Sequence, residues 1–134
     1  MSADANIKTI TAVYEAFGRG DVATILDAVT DDVDWAAEAA SSAAPWYGAR
    51  HGKEAVAAFF SAFGSTMEVS EFTPVSIAAN DTDVLTVVRF QARSRDTGKT
   101  EQMNLHHYFK FRDGKIAYYR GTEDTAQTEA VLRG

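Results

Sequence analysis

The sequence has no cysteine and only two prolines. Without cysteine, the chain cannot form disulfides, thiolate metal sites or a cysteine nucleophile. It also lacks any run of roughly eighteen apolar residues, the length that a membrane helix needs. The first residues, 1–6, have neither the basic start nor the apolar stretch of a signal peptide. We therefore expect a cytoplasmic protein.

Positive charge is also scarce. Thirteen Lys and Arg residues stand against 19 Asp and Glu residues, and the net charge is -6. Nucleic acids and anionic lipid surfaces both require a cationic surface on their partner. The composition therefore argues against a nucleic acid or a membrane as a partner.

Metal and cofactor motifs are missing as well. The acidic group Asp31, Asp32 and Asp34 lacks the spacing and the glycine of a calcium loop, so capping and solvation explain it better. His106 and His107 are neighbours in a strand pattern, and adjacent strand residues point to opposite faces. We therefore predict neither a metal site nor a cofactor.

The residues that are present describe one globular domain spanning residues 1–134. Of these residues, 46% are hydrophobic and 24% are charged, which is enough for a sizeable core. Apolar residues recur at helical spacing in the first half, and glycines follow the first and third runs. The predicted helices cover residues 7–17, 22–29 and about 53–63, with a short strand at 33–35 and a terminal helix at 125–132.

In the second half the apolar period changes from helical to two. Four strands are predicted at about 67–78, 84–95, 100–112 and 115–124. The pair Asp113-Gly114 between two alternating runs is a strong hairpin signal, because both residue types tolerate the positive φ of a short turn. Helices first and strands later predict an α+β domain in which helices pack on one face of an antiparallel sheet.

Three stretches of sequence, taken with this order of elements, resemble a known family. They are residues 13–21 (VYEAFGRGD), 47–60 (YGARHGKEAVAAFF) and 108–116 (YFKFRDGKI). The chain resembles, over essentially its whole length, the SnoaL-like branch of the nuclear transport factor two-like superfamily. That resemblance implies a cone-shaped α+β barrel, with three N-terminal helices packed on a strongly curved antiparallel sheet. It also implies a pocket between helices and sheet, and a homodimer formed through the outer sheet face.

Members of that superfamily include ketosteroid isomerases, polyketide cyclases, limonene epoxide hydrolases, dehydratases and proteins without catalysis, so the fold does not fix the activity. The isomerases use a carboxylate base just after the first strand, where this sequence has Ala37, followed by Glu38. Their oxyanion hole combines a tyrosine with a protonated aspartate. The tyrosine position falls on Val13, next to Tyr14, and the aspartate position falls on His107.

The epoxide hydrolases of this fold use an arginine and two aspartates. The corresponding positions here are Val88, Phe90 and Gly121, so that triad is absent. Arg89 and Gln91 are one residue away, which on a strand means the opposite face. The resemblance therefore does not extend to epoxide hydrolysis of that type.

The same register places His107 and Glu123 on the inner face of the last two strands. A carboxylate within hydrogen-bond reach would orient the imidazole and raise its pKa towards neutrality. We therefore predict that His107 is the acid/base or oxyanion donor, Glu123 its orienter or the base, and Tyr14 a phenolic donor. The predicted walls of the pocket for a hydrophobic small-molecule ligand are Phe17, Trp35, Ala37, Trp46, Phe59, Phe63, Val88, Phe90, Met103, Leu105, Phe109 and Tyr119.

Two functions are open at this point. One is a cofactor-independent isomerase, cyclase, dehydratase or hydrolase acting on a hydrophobic carbonyl compound. The other is a non-catalytic ligand-binding or dimerisation module, in which His107 and Tyr14 are structural and Glu123 pairs with Arg120 or Arg50 at the surface. A cavity of roughly a few hundred Å³ with convergent polar groups favours the enzyme. A pocket plugged by Trp35, Phe63 and Tyr119 favours the binding module. On the outer face, Leu85, Val87 and Tyr108 are the apolar residues that support a homodimer.

Overall fold

The computed structural model describes residues 2–133. These residues form four helices and six strands. In chain order the elements are α1 (Ala3–Gly18), α2 (Val22–Asp27), β1 (Val29–Ala37), β2 (Gly48–His51), α3 (Lys53–Thr66), β3 (Met67–Ala79), β4 (Asp83–Ser94), β5 (Thr100–Arg112), β6 (Lys115–Thr122) and α4 (Thr125–Leu132). The α+β class predicted from the sequence is confirmed.

Local side-chain bonds fix where the first helices begin. The Ser2 hydroxyl accepts from the N–H of Ala5 at the start of α1, and Asp21 accepts from Thr24 at the start of α2. The predicted stop of the third helix at Gly64 is wrong, because α3 continues through this glycine to Thr66. A glycine inside a helix costs only about 1 kcal/mol, which the packing of the apolar face of α3 can offset.

The strands form one curved, unclosed sheet in the order β2-β1-β6-β5-β4-β3. The pairs β3–β4, β4–β5 and β5–β6 are antiparallel, as the sequence predicts. Two features of the sheet were not predicted. Strand β1 pairs with β6 in parallel, and the short strand β2 pairs with β1 at the edge. The β1–β6 partners lie far apart in sequence, so no turn signal announces their pairing.

The hairpin between β5 and β6 sets which residues face inward. Its turn residues Asp113 and Gly114 have φ of 51° and 80°, as the Asp-Gly signal predicts. From this turn the alternation of the strand leaves His107 9% exposed on the inner face and His106 exposed on the outer face. The inner face is covered by α1 and α3, and the core lies between these layers. Within residues 2–133, no helix is long and apolar enough to cross a membrane.

Candidate functional site

A cavity of about 80 Å³ lies between the helices and the inner face of the sheet. Tyr14, His107 and Glu123 all contribute to its lining. Ten of the twelve predicted wall residues also line it: Phe17, Trp35, Ala37, Trp46, Phe59, Phe63, Phe90, Leu105, Phe109 and Tyr119. The cavity is therefore a largely apolar, aromatic-walled space that carries a few polar groups.

Two predicted wall residues lie elsewhere. Val88 is fully buried within the core and does not reach the cavity surface. Met103 is partly buried and packs against the edge of the core. Both residues alternate along their strands with the inward-facing positions. This alternation shows which residues face inward, but it does not distinguish a residue that lines the cavity from one that is packed in the core.

Several lining residues were missed: Val13, Ile25, Phe60, Phe72, Glu101, Gly121 and Thr122. Glu101 is the most informative of them. It shares the odd-numbered parity of Leu105, His107 and Phe109 on β5, which is a signal for an inward-facing carboxyl group.

Tyr14 joins His107 to a neighbouring strand through hydrogen bonds. Its hydroxyl oxygen lies 2.7 Å from Nδ1 of His107 on β5 and 2.6 Å from Oγ1 of Thr86 on β4. Thr86 and His107 face each other across the β4–β5 pair, so the strand register brings both groups to the phenol. Helix α1 therefore contributes the central member of a buried polar chain on an otherwise apolar face.

The protons of this chain can be assigned by counting donors and acceptors. If Thr86 donates to the Tyr14 oxygen and Tyr14 donates to Nδ1 of His107, every hydroxyl proton is used. The reverse order would leave the Thr86 hydroxyl proton, in a residue only 4% exposed, without an acceptor among residues 2–133. Each order leaves one donor without a partner among residues 2–133: the Nε2–H of His107 in the first and the Thr86 hydroxyl in the second. The first order is favoured, because His107 lines the cavity, where a ligand or water can accept from it, and Thr86 does not. It leaves His107 with its proton on Nε2.

The predicted rise of the His107 pKa is wrong. Burial, helped by the charge of the neighbouring His106, lowers the pKa of His107 to about 3. Desolvation penalises the charged imidazolium, and within residues 2–133 no carboxylate forms a hydrogen bond or ion pair with the ring to compensate. His107 is therefore a neutral imidazole at physiological pH. Burial also raises the pKa of Tyr14, so the phenol keeps its proton.

The predicted pairing of Glu123 with His107 is also wrong. The Glu123 carboxylate accepts from the Tyr47 hydroxyl at 2.9 Å and from Trp46 Nε1 at 3.3 Å. It also lies 3.0 Å from Oγ1 of Thr128 on α4. Strand β6 ends at Thr122, so Glu123 turns towards the loop before β2 and towards α4. It stays in the cavity lining but belongs to a separate polar group.

Aromatic packing narrows the cavity. The rings of Trp35 and Tyr119 lie 4.1 Å apart, and Tyr119 also packs against His107. The Tyr119 ring fits because residue 121 is glycine. A Cβ at Gly121 would clash with the Tyr119 hydroxyl and lie 2.9 Å from its Cζ. The indole N–H of Trp35 is buried without a hydrogen-bond partner among residues 2–133.

The position of the carboxylate base in the resembled isomerases and those of the two aspartates in the epoxide hydrolases are apolar here. Ala37, Phe90 and Gly121 all line the cavity, and none of them can transfer a proton. Glu38 does not replace Ala37, since it is exposed and lies outside this cavity. Across the part of the chain that the structure describes, no group of three or more His, Asp or Glu side chains could hold a metal ion.

A curved sheet that is covered by helices and encloses an apolar cavity defines the class of this protein as an α+β fold with an internal cavity. Comparison with known sequences sharpens this class. Residues 10–119 match the model of the SnoaL-like domain, so the chain belongs to the SnoaL-like family. No curated protein matches the sequence at a significant level.

Solved structures share the fold over nearly the whole chain. An NTF2-like protein of unknown function from Burkholderia pseudomallei K96243 has 22% identity and a TM-score of 0.90, over 97% of this chain and 98% of its own. An NTF2-like protein from Burkholderia xenovorans LB400 has 24% identity and a TM-score of 0.88, over 99% of both chains. TerC, co-crystallised with polyporic acid, has 20% identity and a TM-score of 0.84, over 97% of this chain and 99% of its own. At these identities the likeness shows the fold.

Proposed function

We propose that this protein is a cofactor-independent acid–base enzyme that acts on a small, hydrophobic carbonyl compound. The observation that carries the proposal is the buried chain from Thr86 through Tyr14 to Nδ1 of His107. Because Nδ1 is bonded to Tyr14 and His107 lines the cavity, Nε2–H is the ring donor left for a ligand. A fixed donor in an apolar cavity is suited to a substrate oxygen that gains negative charge.

The chemistry follows from the state of His107. When a proton leaves the carbon next to a carbonyl, charge builds on the carbonyl oxygen, and a neutral N–H donor can bind it without losing its own proton. The resembled isomerases use a protonated aspartate for this task, and His107 occupies the corresponding position. Glu123 is the proposed base, because it lines the same cavity and is held as a hydrogen-bond acceptor by Tyr47 and Trp46.

The aromatic walls restrict the substrate. The cavity of about 80 Å³ is smaller than the few hundred Å³ expected for an enzyme of this kind, so binding of a compact, flat substrate requires Trp35 and Tyr119 to separate. The small volume and the alanine at position 37 favour a second candidate function. In that case the same cavity binds an apolar ligand and performs no reaction.

An exchange experiment separates the two candidates. Small cyclic ketones, including 3-cyclohexenone, are incubated with the protein in D2O, and NMR follows both binding and deuterium uptake at the carbon next to the carbonyl. Exchange that is lost in His107→Ala and retained in the outward-facing control His106→Ala supports the enzyme. Binding without exchange in the parent protein supports the binding module. Exchange that is undiminished in His107→Ala would overturn the proposed role of the imidazole.

The proposal includes a homodimer formed through the outer face of the sheet. Leu85 is 54% exposed on this face, and its cross-strand partner Tyr108 and the nearby Val87 extend the apolar surface. A dimer would remove this surface from water. Light scattering tests it: the parent is expected to have the mass of two chains, and Leu85→Glu that of one. A parent that is monomeric at high concentration would contradict the dimer.

A further inference from the structure

The hydroxyl of Thr128 lies between two carboxyl groups. Its Oγ1 is 2.7 Å from Oε2 of Glu101 and 3.0 Å from Oε2 of Glu123. Thr128 is fully buried on α4, and Glu101 is 1% exposed on β5. Both carboxyl groups line the cavity. A hydroxyl on α4 therefore bridges a carboxyl group on β5 and one in the connection between β6 and α4.

The contacts require one more proton than the hydroxyl supplies. Each oxygen–oxygen contact at hydrogen-bond distance needs a proton between the two atoms, and a threonine hydroxyl has only one. If both carboxyls were ionised, one contact would bring two lone pairs together in a buried site. One of the two carboxyls must therefore carry the second proton.

The surrounding donors decide which carboxyl that is. Glu123 accepts from the Tyr47 hydroxyl and from Trp46 Nε1, and both bonds favour its ionised form. Glu101 has no partner other than Thr128 among residues 2–133. The proton therefore belongs on Glu101, which donates to Thr128, and Thr128 donates to the Glu123 carboxylate.

The charges around Glu101 agree with this assignment. Glu123 follows the end of β6, and Asp124 caps α4, so both neighbouring charges are negative. No cation forms an ion pair with Glu101 or Glu123 within the described range 2–133. Burial, helped by these two negative charges, raises the pKa of Glu101 to about 7, against the lowering effect of the bond to Thr128.

We propose that Glu101, Thr128 and Glu123 form a proton relay that completes the acid–base chemistry of the cavity. This inference rests on the proposed function. In the forward step the Glu123 carboxylate takes a proton from the carbon next to the substrate carbonyl. The C–H electron pair moves into the enolate, whose oxygen is bound by Nε2–H of His107.

The second step returns a proton. For a β,γ-unsaturated ketone the enolate is a dienolate, and Glu101 gives its proton to the γ-carbon. The oxygen electron pair then re-forms the carbonyl, and the double bond moves to between the α- and β-carbons. Glu123 then passes the proton it took to Thr128, while Thr128 passes its own proton to the Glu101 carboxylate. The net change is a 1,3-proton shift within the substrate, and the protein regains its starting protonation.

Carbon-13 NMR of glutamate-labelled, ligand-free protein tests the relay without substrate. We expect one carboxyl resonance that titrates near pH 7 and disappears in Glu101→Gln. The glutamine can still donate to Thr128, so this variant preserves the hydrogen bond. A Glu101 resonance that titrates in the ordinary range of about 4 to 5 would overturn the relay.

Turnover of 3-cyclohexenone to its conjugated isomer tests the chemistry. Glu101→Gln and Thr128→Val are expected to retain deuterium exchange through Glu123 while losing about 100-fold in isomerisation. Thr128→Ser, which keeps the hydroxyl, is the matched control and is expected to retain most of the rate. Isomerisation that is unchanged in both Glu101→Gln and Thr128→Val would overturn the relay and leave the proposed roles of His107 and Glu123 standing. Absence of exchange in the parent would overturn the proposed function, and the NMR titration would still decide the protonation of Glu101.

Discussion

Replacing Tyr14 with phenylalanine is expected to destabilise the fold much more than the loss of one hydroxyl at the surface. The change removes the hydrogen bonds to His107 at 2.7 Å and to Thr86 at 2.6 Å, and it adds no volume. A net hydrogen bond is worth about 0.5–1.5 kcal/mol, and buried groups left without a partner add to the cost. We expect the free energy of unfolding to fall by about 2–3 kcal/mol.

Thermal or urea unfolding at pH 7 measures this loss. For a domain of this size, about 2–3 kcal/mol corresponds to a fall in Tm of about 7–10 °C. Tyr108→Phe is the matched control, because the Tyr108 hydroxyl makes one partly buried bond, to Asp83 at 2.9 Å on the outer side of the sheet. That control is expected to lose less than about 1 kcal/mol.

A double-mutant cycle with Thr86→Val tests whether the hydroxyls act as one chain. Groups in one hydrogen-bond network couple by about 0.5–3 kcal/mol, so Tyr14→Phe is expected to cost less when Thr86 is already valine. If Tyr14→Phe destabilises no more than Tyr108→Phe, or if the cycle shows no coupling, the buried chain does not exist as described.

Three further predictions concern other parts of the cavity. Gly121→Ala places a Cβ against the Tyr119 ring, so we expect ligand binding to weaken and the free energy of unfolding to fall by about 1–3 kcal/mol. Gly18→Ala is the control, because a Cβ at Gly18 meets only open space and should be tolerated. Calorimetry compares the thermal unfolding and the ligand binding of the two variants. The pKa of His107 is lowered in the folded state, so its contribution to the free energy of unfolding is present above the unfolded-state pKa of about 6.5 and is lost as the pH falls towards 3. Unfolding of the parent and of His107→Gln, measured from pH 4 to 7, should show this loss only in the parent. Parallel plots of unfolding free energy against pH for the two proteins would contradict it. The pKa of Glu101 is raised, so its contribution to the free energy of unfolding is present below about pH 4.5 and is lost as the pH rises through 7. The difference in that free energy between the parent and Glu101→Gln is therefore expected to change by about 1.4 kcal/mol per pH unit between pH 5 and 7. A difference that stays constant over this range would count against a neutral Glu101.

The spacing of apolar residues and the turn residues predict most of the helices and strands. Alternation along β4 and β5, fixed by the Asp113-Gly114 turn, is sufficient to place His107 inward and His106 outward. The parallel β1–β6 pair and the short strand β2 depend on contacts between distant segments. No periodicity or turn residue in the sequence reports such contacts.

The sequence was sufficient to predict which residues face the cavity. It did not predict which side chains form hydrogen bonds with one another there. Alternation along the strands placed His107 and Glu123 on one face of the sheet. It did not show that the hydrogen-bond partner of His107 is Tyr14. Glu123 lies just beyond the end of β6, where Tyr47 and Trp46 from a distant loop satisfy it. Side-chain partners across three elements depend on tertiary packing, which the spacing along one strand does not contain.

We infer that His107 is a neutral imidazole whose Nε2–H is available to a ligand in the cavity. Nitrogen-15 NMR of the histidine side chains tests it directly, because the protonated and unprotonated ring nitrogens have distinct shifts. We expect that, between pH 5 and 8, His107 carries a proton on Nε2 and none on Nδ1. An imidazolium at His107 in that range, or a proton on Nδ1 in place of Nε2, would contradict it.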